Sequence, residues 1–372
     1  MITISEIKGR DGIKRFVRFP WLIYRNDPNW VPPLLKDKED YLNPEKNPYY
    51  KHSRVLLLMA HRDGKPVGRL SVHENAEHVK RHREKIGFFG FFECVNDFDV
   101  AKAMFDHGKE WLQKLGYLKM RGPANFSING EYSLLVDGFD SPSMVMMTYN
   151  PPYYATLLER YGFKNSQNMY AYQIDLGVGL PDEALKFATA VETSRKDYRV
   201  RKVDMKHYDR DVGIVHTIYT QAWDDNWGAV PETEAEIRAL AKDLKMVIDK
   251  DIAFVGELNG QPIGFSLSIP DINQAIRTAN GKLFPFGLLR ILLKKRHIDS
   301  MRVLVMGVLK EHRHQGFDAV FYKRTLEEGR KKGYKTAEMS LINESNAPMR
   351  QVLERIGAKI YKTYRMYDLD II

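Results

Sequence analysis

Apolar runs of strand length recur along this chain in two matching sets. The first set is Ile2–Lys8, Arg54–His61, Val67–Val72, Phe88–Val95 and Leu118–Arg121. The second is Val200–Met205, Ile252–Leu258, Ile263–Ile269, Val303–Leu309 and Thr336–Leu341. In each set the second and third runs flank a tight turn, Asp63-Gly64 or Asn259-Gly260, which predicts a β-hairpin. After the fourth run of the first set, Ala101, Met104, Phe105, Gly108, Trp111, Leu112 and Leu115 repeat at helical spacing, and Gly116 stands as a C-cap. In the second set Phe317, Val320, Phe321 and Arg324 begin a similar stripe. That stripe closes on Arg330, Lys331 and Lys332, cations that suit a helix C-terminus, and Gly333 ends it. A short helix and a last strand complete each set. The pattern predicts a mixed α/β fold, with antiparallel hairpins feeding a partly parallel centre.

The two sets are copies of one unit. Asp27-Pro-Asn-Trp30 with Pro32 is echoed by Asp224-Asp-Asn-Trp227 with Pro231. Gly64-Lys-Pro-Val-Gly68 is echoed by Gly260-Gln-Pro-Ile-Gly264, and Glu159-Arg-Tyr-Gly162 by Glu354-Arg-Ile-Gly357. The order is kept and the offset is nearly constant, which predicts tandem domains over 1–178 and 196–372. The second copy has an insertion before its central helix, and the first copy has one after it. Trp30 and Trp227 read as core anchors.

Composition narrows the class. A chain of 372 residues with 44% hydrophobic and 28% charged residues suits two ordinary cores. The one cysteine, Cys94, allows no internal disulfide and reads as a buried thiol. The N-terminus lacks the apolar core of a signal peptide, and no stretch is long and apolar enough to span a bilayer. A cytoplasmic protein with no integral membrane contact is expected. The net charge of +9 admits nucleic acid, an anionic lipid, an anionic cofactor or a generally basic surface; no dense basic block calls for nucleic acid.

The most informative segment runs from Met301 to Gly333. An apolar strand feeds the loop Glu311-His-Arg313-His314-Gln315-Gly316-Phe317-Asp318, which opens a helix. Backbone N–H groups and the positive end of a helix dipole would converge there, a setting that suits a pyrophosphate. Arg313 and His314 add charge, and Gly316 allows close approach. Gly307, within the strand, suggests a bulge.

Arg313-His-Gln-Gly316-Phe-Asp318, with Asn346 downstream and Gly357 eleven residues later, resembles the GNAT superfamily of acetyl-CoA-dependent acyltransferases. The resemblance is carried mainly by Val200–Ile372. It implies two tandem GNAT-like domains and acetyl-CoA or another acyl-CoA as cofactor. By that pattern a bulge splays two parallel strands, and the free N–H and C=O groups of Val308 and Leu309 pair with the pantetheine amides. The implied cofactor residues are Val308, Leu309, Arg313, His314, Gln315, Gly316, Phe317, Asp318 and Asn346. Copy one reads Asn96-Asp97-Phe98-Asp99 at the loop, with carboxylates that would repel a phosphate, so it is read as degenerate.

Two features depart from the family's pattern. Asp318 replaces a small residue, and Leu353 stands where many members carry a tyrosine acid. The candidates for proton transfer are Glu338, Ser340 and Asn343. For the acceptor they are Asn125, Asn129, Tyr132 and Tyr149, in copy one's insertion, which also reads as a plain structural connection. Copy two's insertion, around Leu283–Arg296, is amphipathic and basic at its end; it reads as a lid, a packing helix or a membrane-surface helix. The expected activity is transfer of an acyl group to the amine of a small molecule or peptide. The alternatives are a non-catalytic CoA- or metabolite-binding module and an aminoacyl transferase of the Fem type.

Overall fold

A computed structural model describes residues 1–222, 227–230 and 232–371. The echo residues Asp224, Asp225, Asn226 and Pro231 lie outside them. The strands, in chain order, are β1 (Ile2–Glu6), β2 (Val55–Arg62), β3 (Lys65–His73), β4 (Ile86–Cys94), β5 (Lys119–Gly122), β6 (Leu134–Asp137), β7 (Lys164–Asp175), β8 (Tyr198–Lys202), β9 (Ala253–Leu258), β10 (Gln261–Pro270), β11 (Ser300–Val308), β12 (Thr336–Asn343) and β13 (Lys359–Asp370). The helices that bear on function are α1 (Phe98–Lys114), α2 (Asp182–Ser194), α3 (Tyr208–Ala222), α4 (Gly287–Lys295), α5 (Phe317–Lys331) and α6 (Ala347–Arg355).

The chain forms two compact mixed α/β units. Unit 1 holds Met1–Asn168, Asn273–Lys295 and the chain from Lys362 onward; unit 2 holds Met169–Ile272 and Arg296–Tyr361. In unit 1 the strand order is β1-β2-β3-β4-β5-β13, with β6 also on β13. In unit 2 it is β8-β9-β10-β11-β12-β7.

The last strand of each copy does not complete its own copy's sheet. Met169–Asp175 of β7 pairs antiparallel with β12, while Thr363–Asp370 of β13 pairs with β5 and β6. The sequence pattern predicts instead that each last strand finishes its own copy. Both β5 and β12 would otherwise leave a bare edge inside the fold, and a strand from either copy satisfies that edge equally well.

The hairpins form as their turn residues require. Asp63 and Gly64 have φ of 50° and 76°, and Asn259 and Gly260 have 50° and 77°. Two positive φ values in succession define the turn whose twist matches the strands. In unit 1, α1 buries Val100, Ala101, Met104, Phe105, Gly108 and Leu112 against β2, β3 and β4. Cys94 is buried in that core, and burial pushes its thiol up to about 12, so it is an inert packing group.

Each unit has one parallel strand pair at its centre, and in both the pair parts early. Strands β4 and β5 are in register only from Ile86↔Lys119 to Phe88↔Arg121. Strands β11 and β12 are in register only from Ser300↔Thr336 to Val303↔Met339. Beyond those points each pair opens into a notch.

Candidate active site

In unit 2 the notch is opened by a slip in the neighbouring ladder. Leu267 faces Val305 but Ser268 faces Val303, so Leu304 is left over on β11. The irregularity therefore lies at Leu304. It does not lie at Gly307, which pairs regularly with Phe265. A bulge adds twist and bends its strand, and β12 leaves β11 at the same level.

Alternation of the antiparallel ladder sets which backbone groups face the notch. Leu309 donates its N–H to Ile263 O at 2.8 Å. That commitment corrects the expectation that Leu309 offers a free N–H. In an antiparallel ladder hydrogen-bonded pairs alternate with pairs whose groups point outward. Val308 and Met306, opposite Gly264 and Ser266, therefore turn their N–H groups away from β10 and toward the notch.

At the foot of the notch lies a buried polar network. Arg302 and Glu338 are directly opposed across β11 and β12, one pair before the strands part. Glu338 has no exposed surface, and Arg302 and Ser340 are also buried. The Arg302 Nε lies 3.4 Å from Glu338 Oε1 and donates to Ser340 Oγ at 3.0 Å. Ser340 Oγ donates to Glu338 Oε1 at 2.6 Å, and the Tyr361 hydroxyl donates to Glu338 Oε2. A buried carboxylate is tolerable only with such partners.

Glu338 and Ser340 were expected from sequence; Arg302 and Tyr361 were not. Arg302 left one signal, a charge inside an otherwise apolar strand. Tyr361 left none, because it arrives from β13. Asn343 is not in the network. Its side-chain oxygen is buried without a hydrogen-bond partner among the described residues, and its carbonyl accepts the N–H of Asn346 at 2.9 Å.

The loop into α5 forms a cradle of a different build from the one expected. Gly316 is the N-cap of α5 at φ 80°, and no side chain caps the helix. A Cβ on Gly316 would come within 2.8 Å of Phe187 and Val191 of α2. The missing Cβ therefore makes room for the Phe187 and Val191 side chains of α2. Helix α2 is tied down by Glu192, which accepts from Lys323 at 2.8 Å and from Arg324. Beside it Arg195 lies over the Phe317 ring, 5.3 Å from its centroid, and 3.4 Å from Gln315 Oε1. Arg195 thus brings to the loop a cation that the sequence reading missed.

Arg313 has a structural task. Its guanidinium donates to Ala222 O at 2.7 Å and Val308 O at 3.3 Å, joining the end of α3 to the end of β11. His314 sits exposed at φ 61°, and Gln315 is exposed beside it. Phe317 is buried, with Tyr198 packed on it at 4.4 Å. Asp318 lies in the first turn of α5. Asn346 caps α6 through the N–H of Met349 at 3.3 Å. Leu353 is fully buried.

The notch of unit 1 is filled by the chain itself. Ala124 donates its N–H to Phe89 O at 2.7 Å, and Asn125 Oδ1 accepts the N–H of Phe91 at 2.8 Å. A Cβ on Gly90 would meet Ala124 O at 1.9 Å. The insertion thus supplies to β4 the hydrogen bonds that a bound amide would supply. The helix that follows is closed too, since Asp97 accepts from the N–H groups of Asp99 and Val100 and pairs with Arg62.

The acceptor candidates are placed accordingly. Asn125 is this plug, held also by Glu131 at 3.1 Å. Tyr132 forms an isolated bridge with Ala124, and Asn129 donates its backbone N–H to Ser127 Oγ at 3.1 Å. Tyr149 donates to Asp27 at 2.9 Å and accepts Tyr24 OH on its carbonyl. Burial, then the Asp27 carboxylate, raises the Tyr149 phenol well above its usual range. All four belong to unit 1, whereas the Glu338 network belongs to unit 2.

The fold is that of the GNAT superfamily in tandem form. The structure superposes on the tandem GNAT protein from the clavulanic acid biosynthesis pathway with a TM-score of 0.58 at 13% identity, covering 100% of this chain and 99% of that one. It superposes on a GCN5-related N-acetyltransferase from Sphaerobacter thermophilus with a TM-score of 0.54 at 10% identity, covering 100% and 96%. Likeness at such identity shows the fold alone. No family model matches. Two relatives match along nearly the whole chain. The bacterial ceramide synthase of Caulobacter vibrioides is 35% identical over 99% of this chain and 97% of its own. Protein YghO of Escherichia coli K12 is 33% identical over 99% and 95%. The chain belongs to the family of these two proteins.

Proposed function

We propose that this protein transfers an acyl group from an acyl-CoA thioester to the primary amine of a long-chain amino alcohol, forming an amide. The observation that carries the reading is the Arg302–Glu338–Ser340–Tyr361 network, buried where β11 and β12 part. The family supports the acceptor class, since a ceramide is the amide of a fatty acid and a long-chain amino alcohol, and one relative is named a ceramide synthase.

The residues present fit an acyl-CoA in unit 2. The α5 N-terminus carries no side-chain cap, Arg195, which also holds Asp197, brings a guanidinium beside it, and the N–H groups of Met306 and Val308 face the notch. Bound acyl-CoA supplies a thioester carbonyl open to an amine. The chain's task is to place the amine and accept its proton. Ser340 Oγ takes that proton as it passes its own to Glu338 Oε1, 2.6 Å away. Arg302 fixes the Ser340 rotamer and balances the carboxylate, and Tyr361 holds the other oxygen. One C–N bond forms and one C–S bond breaks; the thiolate leaves and takes a proton from solvent, and Glu338 returns the amine's proton to solvent through Ser340 to close the cycle. Positioning supplies much of the remaining rate.

The test is direct. Purified protein is incubated with a long-chain acyl-CoA and a long-chain amino diol, and the amide is sought by mass spectrometry beside free thiol. Amide and thiol in equal amounts support the reading. CoA binding without either product would make the protein a binding module.

A further inference from the structure

The segment Asn273–Lys295 has two parts of opposite character. The first is stitched into unit 1. Asn273 donates to Ser143 O at 3.0 Å, Arg277 to Pro28 O at 3.0 Å, Trp21 Nε1 to Asn280 Oδ1 at 2.8 Å and Leu35 N–H to Gly281 O at 3.0 Å. The second part is exposed. Phe284 is 87% exposed and Phe286 63%, and Leu288, Leu289, Leu292 and Leu293 are 53%, 55%, 54% and 60% exposed.

The arrangement is ordered. Helix α4 turns only Gly287 and Ile291 inward, one turn apart. At about 100° per residue the four leucines fall together on the opposite side. Arg290 and Lys294 flank that strip on one edge and Lys295 on the other. Asp271 and Asp299 bracket a stretch with no acidic residue, which holds Arg277, Lys282, Arg290, Lys294, Lys295 and Arg296. Six large apolar side chains exposed within ten residues are not the single scattered residues of an ordinary surface. A hydrophobic protein groove would cover the leucines but gives no reason for cations on both edges. An anionic bilayer covers both: the acyl boundary takes Phe and Leu, and the phosphates take Lys and Arg.

We infer that α4 and the Phe284–Phe286 turn form an interfacial docking site for an anionic phospholipid bilayer, with the helix lying in the plane of the interface. The inference stands on the exposed face, so it and the lipid-acceptor reading can fail separately.

The test uses full-length protein sedimented with vesicles of phosphatidylcholine alone or mixed with phosphatidylglycerol. Partition onto anionic vesicles should exceed that onto neutral ones at least tenfold, and should fall with salt. Lys294→Glu with Lys295→Glu should weaken it by about fivefold or more per cation. Leu289→Ser with Leu293→Ser should lower it at least tenfold while the thermal midpoint is kept. Phe284→Trp should shift its emission to the blue on anionic vesicles. Acylation of a short water-soluble amine, measured alongside, should be unchanged in the serine variant, which separates lost docking from lost chemistry. No partition by the wild type, or equal partition by wild type and serine variant, would overturn the inference. So would a wild-type dimer that the serine substitutions convert to monomer without vesicles, since a second copy would then cover the face.

Discussion

Asn125 holds Phe91 in unit 1: its side-chain oxygen accepts the Phe91 N–H at 2.8 Å, in the gap where β4 and β5 have separated. Among the described residues the corresponding gap of unit 2, between β11 and β12, shows no such tie, and a buried carboxylate lies at its foot. One fold thus carries a notch closed by its own chain and a notch with a buried polar network at its foot.

The plug has a measurable cost of removal. Asn125→Leu leaves the Phe91 N–H without its acceptor, a loss of about 1–3 kcal/mol for a buried group. Denaturant unfolding should show that loss with an unchanged slope. The KM for acyl-CoA should stay within twofold, whereas an acceptor or cofactor contact would move it.

Glu338→Gln keeps size and hydrogen-bonding capacity but removes the proton acceptor. Turnover should fall on the order of a hundredfold or more, with acyl-CoA affinity within twofold by calorimetry. Tyr361→Phe should cost less, since Arg302 and Ser340 still hold the carboxylate. A Glu338→Gln enzyme with normal turnover would remove the network from catalysis.

Acid should weaken unit 1 well above the usual carboxylate range. Burial depresses His73 and His78 from 6.5 to about 3. His73 keeps a bond to Phe126 O at 3.1 Å, and the Glu84 carboxylate lies 3.5 Å from His78 Nε2. Both are neutral in the folded chain and take up a proton on unfolding. Their contribution is therefore complete above pH 6.5 and is lost as pH falls toward 3, by up to about 1.4 kcal/mol per pH unit for each. The thermal midpoint should drop between pH 7 and pH 5. His78→Phe, which keeps the edge contact with Phe88, should roughly halve that slope.

The parts of the fold legible in the sequence are those decided locally. Asp63-Gly64 and Asn259-Gly260 announce their hairpins because few residues accept positive φ twice in succession. The α1 stripe and the loop before α5 are local in the same sense. The exchange of β7 and β13 was not legible, because a strand's own residues carry no mark of which open edge they will meet. Arg302 and Tyr361 were hidden for a related reason: register brings them to Glu338, and register depends on both strands. Asn125 looked like a pocket residue because polar loops that bind ligands and polar loops that bind backbone have the same composition. Gly307 misled because a glycine in a strand need not mark its bulge, which here falls at Leu304.

The central claim is that one notch takes acyl-CoA and the other is closed. Calorimetric titration of acyl-CoA into the full-length protein tests it most directly, with Gly316→Val and Asp97→Asn measured beside the wild type. Position 316 has positive φ and no room for a Cβ, so valine should disturb the cradle in unit 2 alone. The account predicts one molecule per chain for the wild type and for Asp97→Asn, and affinity at least tenfold weaker for Gly316→Val with its thermal unfolding still cooperative. Two molecules per chain, or undiminished binding by Gly316→Val, would contradict it.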